Sequence, residues 1–286
     1  MDKLNKTPTF ALIIPRFEDI FHSFYSGEVI KGVSLAASRL KVDILIHIPE
    51  RFSHEDWLPS FLLNREFING ILFADIDGDA TIIKTVVSQR MPYLVMNNYF
   101  QKEVINCIAV DNKKATLELV DYIVSLGHKK IATIAGDLTT QAGKLRLEGF
   151  KEGLQNHDLE IKDDYIEVGG FLRTPAREAA MKLLGLKDRP TAIFAASDVM
   201  ALELMDVAKK SKINIPEDLS VIGFDDNPIN IYSPVKLTTV SQPISEMGRL
   251  ALENLNQISQ GKARIPVKIM LETKLIKRDS CTTRKE

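Results

Sequence analysis

Two cysteines in 286 residues, Cys107 and Cys281, are too few and too far apart to form a disulfide framework, and a reducing compartment is expected. Excess charge is missing too. Lys and Arg number 37 against 38 Asp and Glu, so the chain by itself is not expected to neutralise a run of nucleic-acid phosphates. No apolar run approaches the length needed to span a bilayer, and Met1 to Pro8 hold no apolar stretch of signal-peptide length. A cytoplasmic protein without a membrane partner is expected. Nucleotide and enzyme motifs are lacking as well: no G-x-x-x-x-G-K-[ST], no G-x-G-x-x-G after the first strand, no G-x-S-x-G. The five histidines (His22, His47, His54, His128 and His157) are scattered without metal-ligand spacing. No enzyme, cofactor or metal is predicted. His128, after Gly127, is expected to cap a helix end and enter a turn.

What is present is alternation. Nearly continuous apolar runs predict strands at 10–14, 42–46, 70–74, 93–96, 131–135, 192–196 and 220–224, as expected of parallel strands covered on both faces. Cys107 lies in a further short apolar run and reads as a core residue. Helical spacing predicts helices over 114–126, 197–210 and 245–259, with Ser197 as an N-cap and Asp198 beside the positive helix terminus. Strand–helix alternation predicts right-handed βαβ units, and the strand count predicts two doubly wound lobes.

Polar residues recur just past the carboxyl ends of these runs. They are Arg16, Asp75 and Asp77, Asn97 and Asn98, Asp137, Ser197 and Asp198, and Asp225 and Asp226. Ligands of open α/β sheets bind outside the carboxyl ends of strands. Carboxylates and amides there suit a ligand's hydroxyls, and aromatics such as Tyr25 and Phe171 suit its apolar faces, a combination that fits a sugar or nucleoside. Capping is the competing role for Ser197, Asp198 and Asp226.

Several blocks, in order, resemble the lac repressor (LacI/GalR) family of transcription regulators. They include Val110-Asp-Asn-Lys-Lys-Ala-Thr116, Leu126-Gly-His-Lys-Lys-Ile131, Leu145-Arg-Leu-Glu-Gly-Phe150 and Pro190-Thr-Ala-Ile-Phe-Ala-Ala-Ser-Asp198. Ile215-Pro-Glu-Asp-Leu-Ser-Val-Ile-Gly-Phe-Asp-Asp226 and Leu237-Thr-Thr-Val-Ser-Gln-Pro243 follow. The resemblance runs from about Thr9 onward. It implies an α/β fold of periplasmic-binding-protein-like type I, with two Rossmann-like lobes, parallel sheets and three crossovers. The lobes are expected at 8–112 plus 240–264 and at 113–239 plus 265–286. It further implies a homodimer, with a small effector, usually a sugar, held between the lobes.

By the same resemblance Asp225 is the cleft aspartate, and Ser197 and Asp198 match the polar pair after the central strand of the second lobe. Asn97 matches a polar strand end, and Tyr25 and Phe171 match the aromatic positions. Lys144 falls where the family's cleft arginine is expected, which would replace a planar fork by a point charge. Arg146 is expected to fix a loop. The family's helix-turn-helix run, Val-Ser-x-x-Thr-Val-Ser-Arg, does not occur in this chain, so operator DNA is expected as a partner only through a headpiece that these residues do not contain. Two alternatives stay open: a stand-alone sugar-binding protein of a transport system, and an enzyme on the same scaffold.

Overall fold

The computed structural model describes residues 7–15, 23–50, 57–76, 81–229 and 233–284. They divide into two compact units. The first comprises Met1–Val110 and Pro243–Leu271, and the second comprises Asp111–Gln242 and Glu272–Glu286. The chain therefore passes from one unit to the other three times.

The first unit is built on a six-stranded sheet. Its strands are β1 (Thr9–Ile13), β2 (Asp43–His47), β3 (Gly70–Phe73), β4 (Tyr93–Met96), β5 (Cys107–Val110) and β11 (Lys268–Leu271), in the order β11-β5-β4-β3-β1-β2. Every pairing is parallel. Along β1 the side chains alternate between two cores. Phe10, Leu12 and Ile14 join one core with Val29, Val33, Met247, Leu252 and Leu255; Ala11 and Ile13 join the other with Trp57, Leu62, Ile83 and Val86. The first face is covered by α1 (Phe24–Leu40) and α7 (Ile244–Ser259), the second in part by α2 (Thr81–Ser88). Gly32 lets α1 and α7 touch, since a Cβ there would stand 1.9 Å from the Ser245 carbonyl oxygen.

The second unit repeats the plan with β6 (Ile131–Ala135), β7 (Ile166–Val168), β8 (Ala192–Ala195), β9 (Ser220–Asp225), β10 (Thr238–Ser241) and β12 (Lys274–Ile276). Their order is β12-β10-β9-β8-β6-β7, parallel except for the antiparallel β10–β12 pair. Its helices are α3 (Asn112–Ser125), α4 (Gln141–Asn156), α5 (Arg173–Gly185) and α6 (Asp198–Lys210).

The expected α/β architecture of two doubly wound sheets is present. The unit boundaries need correction. Residues 265–271 belong with the first unit because β11 extends its sheet beside β5, and β10 remains in the second because it pairs with β9. In each sheet the strand order reverses once, between β1 and β3 and between β6 and β8, and doubly wound folds gather polar loops at that point.

Candidate functional site

In the second unit the loops after β6, β8 and β9 end in helix starts. Thr140 Oγ1 accepts from the Gly143 N–H at 2.9 Å and caps α4; Ser197 Oγ accepts from the Met200 N–H at 3.4 Å and caps α6. The caps hold these helix starts at the carboxyl ends of the strands.

Arg146, in the second turn of α4, is buried and spans the reversal point. Its Nη1 donates to the Ala196 carbonyl, just past β8, at 2.6 Å, and its Nε donates to Asn112 Oδ1 at 2.8 Å. The guanidinium covers the Phe224 ring at 3.7 Å and lies 5.6 Å from the Phe171 ring centroid, placements in cation–π range. Nη1 stands 3.8 Å from Asp225 Oδ1. The Gln242 side-chain amide donates to that same oxygen at 2.6 Å. Burial pushes the Asp225 carboxyl up to about 6, against the opposing pull of Arg146, Gln242 and the Asp198 backbone N–H. The Gln242 amide oxygen is buried and has no hydrogen-bond partner among the described residues.

Asp225 has φ 126° and Asp226 φ 60°, and Phe171, in the loop before α5, has φ 65°. Non-glycine residues in this region cost on the order of 1–3 kcal/mol each and mark places where a side chain is being aimed. The Phe171 ring lies over Gly136, where a Cβ would stand 2.1 Å from its tip. Asp198 braces the next turn, taking the Thr239 hydroxyl at 2.6 Å and the Asn227 N–H at 2.7 Å. Asp226 pairs with Arg278 at 2.5 Å.

The first unit carries its own strand-end group. The Tyr25 hydroxyl, from α1, donates to the Ala74 carbonyl just past β3, across that sheet's reversal point. Asn97 follows β4 with φ 66°, is buried, and donates from Nδ2 to Asp75 Oδ2 at 3.3 Å. Its own Oδ1 is buried without a partner among the described residues. Asn98 is a brace: it takes the Ile76 N–H at 3.0 Å and gives to the Ile76 carbonyl at 2.9 Å.

Of the residues expected at a ligand site, Asp225 and Phe171 therefore gather with one another, and Tyr25 and Asn97 lie at the strand ends of their own unit. Ser197 and Asp198 sit beside Asp225, but as a helix cap and a loop brace. Lys144 is exposed on α4. Two residues on, about 200° round the helix, the basic side chain beside Asp225 is Arg146, which corrects the expectation for position 144. Arg16 falls outside the described residues. Arg146 and Gln242 were not singled out as ligand residues. The strand-end rule reaches Gln242 only once β10 is known, and 238–241 was not read as a strand. Among the described residues no group of His, Cys, Asp or Glu is placed to hold a metal ion.

His128 lies on the opposite side of the sheet, where β8 and β9 begin. It is buried, with Nδ1 at 2.9 Å from Thr191 Oγ1 and Nε2 at 2.9 Å from Ser220 Oγ and 3.2 Å from the Thr282 carbonyl. Rather than ending a helix, it ties the α3–β6 turn to the C-terminal segment.

The family of periplasmic binding protein-like domains matches residues 120–281. The HTH-type transcriptional repressor CytR of Escherichia coli is 32% identical over 271 residues, 91% of this chain and 75% of that protein. The HTH-type transcriptional regulator DegA of Bacillus subtilis is 30% identical over 278 residues, 96% of this chain and 81% of that protein. Among solved structures, a complex of the transcriptional regulator CelR with cellobiose superposes with a TM-score of 0.88 at 26% identity, covering 96% of this chain and 85% of that one. A regulatory protein of the LacI family from Chloroflexus aggregans gives 0.85 at 26% identity, covering 96% and 99%.

Proposed function

We propose that this chain, which belongs to the LacI family of transcriptional regulators, is that regulator's sensing and dimerising core, and that its effector is a sugar or a closely related polar metabolite. The observation that carries the reading is the Asp225–Arg146–Gln242 cluster, placed at strand carboxyl ends beside the reversal point of the second sheet. Asp225 accepts from ligand hydroxyls and Phe171 offers an apolar ring, while Tyr25 and Asn97 hold the strand-end positions of the first unit. Ser197 and Asp198 serve by holding the loops around Asp225. The related CelR, solved with cellobiose, supports a carbohydrate as the ligand class.

Effector binding acts on transcription only if it favours one arrangement of the regulator over another, since a ligand with equal affinity for two states shifts nothing. Operator contact belongs to a helix-turn-helix headpiece, the element for which the relatives are named, and the site of action is the bacterial cytoplasm. A transport role is not favoured, because the matched relatives are regulators.

Titration calorimetry with a panel of neutral mono- and disaccharides tests the reading. At least one sugar is expected to bind, with affinity lost on the order of a hundredfold or more in Asp225→Ala while circular dichroism is unchanged. Unchanged affinity in that variant, or turnover of the bound sugar, would overturn it. Sedimentation equilibrium is expected to give twice the mass of the chain.

A further inference from the structure

The cluster around Asp225 also constrains the charge of its ligand. Arg146 is the cation at its centre, and its charge is already used inside the protein. Nη1 donates to the Ala196 carbonyl, Nε donates to Asn112, one face lies on the Phe224 ring, and the Asp225 carboxylate stands 3.8 Å away. Beside it are groups that accept. Asp225 carries a carboxylate, and the buried Gln242 has its amide committed to Asp225 and its carbonyl oxygen unpartnered among the described residues. Gln242 is only 8% exposed, so that oxygen has no bulk water to turn to. A buried acceptor left unmet costs on the order of 1–3 kcal/mol, and an arriving donor recovers it. Asp198, fully buried with its oxygens taken by the Thr239 hydroxyl and the Asn227 N–H, adds negative charge behind these groups, and the nearby Arg278 is paired with Asp226.

We infer that this site takes an uncharged ligand rich in hydrogen-bond donors, such as the adjacent hydroxyls of a neutral sugar, and rejects the phosphorylated or carboxylated form of the same molecule. An anion placed here meets the Asp225 carboxylate and an unpartnered carbonyl oxygen, against one guanidinium that is hydrogen-bonded to Asn112 and the Ala196 carbonyl. The inference rests on the effector reading above and narrows it.

Matched pairs test it. Thermal shift and titration calorimetry on the full chain would compare glucose with glucose 6-phosphate and with gluconate, ribose with ribose 5-phosphate, cellobiose with cellobionate, and adenosine and cytidine with their 5′-monophosphates. The expected result is a melting-temperature rise with one or more neutral members and binding at least about tenfold weaker for the charged partner. Gln242→Leu, checked for folding by circular dichroism, is expected to weaken the neutral ligand about tenfold. A nucleoside that binds while all sugars fail would overturn the sugar reading and leave the charge inference standing. A phosphate or acid that binds as tightly as its neutral parent, or more tightly, overturns the charge inference and leaves the effector reading standing. If no member of any pair binds, both fall.

Discussion

Arg146 and Asp225 face one another at 3.8 Å, near enough to attract and too far apart to share a hydrogen bond. The donors of Arg146 go instead to Asn112 and Ala196, and Asp225 Oδ1 is held by Gln242. The pair therefore leaves the carboxylate oriented but under-compensated, which is why burial prevails and its proton affinity rises.

That rise predicts a trade between stability and binding. A carboxyl whose folded value lies near 6, against 3.8 for the free group, holds its proton more tightly when folded. Its ionisation therefore destabilises the fold progressively from about pH 4 to about pH 6 and fully above that. Asp225→Asn is expected to be more stable than the wild type at pH 7.5, by up to about 3 kcal/mol, with the gain gone near pH 4. The facing charged groups are Arg146, Asp198 and the Asp226–Arg278 pair, all retained in the variant. Urea denaturation at the two pH values measures this, and an equal difference at both would refute it.

Arg146→Lys tests whether a point charge suffices. Lysine cannot reach Asn112 and the Ala196 carbonyl together while lying flat on Phe224. A loss of about 2–4 kcal/mol in unfolding free energy is expected, with weaker effector binding. By contrast Lys144→Ala, on the exposed side of α4, should change stability by less than about 0.5 kcal/mol. Similar losses for both variants would show that the helix rotation has been misassigned.

Gly136→Ala addresses Phe171. The new methyl would sit 2.1 Å from the ring tip, and the ring, anchored only at its far end, swings away. Effector affinity should fall roughly tenfold while the denaturation midpoint moves little. If affinity is retained, Phe171 does not touch the ligand.

His128 predicts an acid-sensitive fold, with the opposite sign to Asp225. Burial lowers its proton affinity below the ordinary 6.5, and Arg284 lowers it further, so the stability contributed by the neutral ring is complete above pH 6.5 and declines as pH falls below that. His128→Ala should cost about 3 kcal/mol at pH 7.5, through lost hydrogen bonds and a cavity, and less at pH 5.5. A cost independent of pH would mean that folding leaves the proton affinity of the ring unchanged.

Strands were legible where apolar residues were unbroken. β4 (Tyr93–Met96) and β6 (Ile131–Ala135) fall on the expected spans, because strands covered on both faces leave no room for polar residues. β10 was not read as a strand because Thr-Thr-Val-Ser is mostly polar, and β7, β11 and β12 were not legible either. These last three are edge strands of three or four residues with partly exposed side chains, and their sequences hold charges that a covered strand excludes. β5, at Cys107–Val110, read as core without being placed in a sheet. Asp225 and Phe171 in the second unit, and Asn97 and Tyr25 in the first, were legible as strand-end or aromatic positions, whereas the place of Arg146 beside Asp225 was not. Matching blocks gives a position along the chain, and only the rotation of α4 says which side chain points inward.

The order of apolar and polar residues along this chain determined the doubly wound architecture and the strand ends where polar groups collect, because backbone hydrogen bonding and burial act on local pattern. Tertiary structure alone decided which of those groups are spent and which remain available. Thr239 and Asn227 occupy Asp198, Arg146 is held by Asn112 and Ala196, and the Gln242 carbonyl oxygen is left over. Whether a polar atom is satisfied depends on partners far away in sequence, and a linear pattern holds no record of that distance.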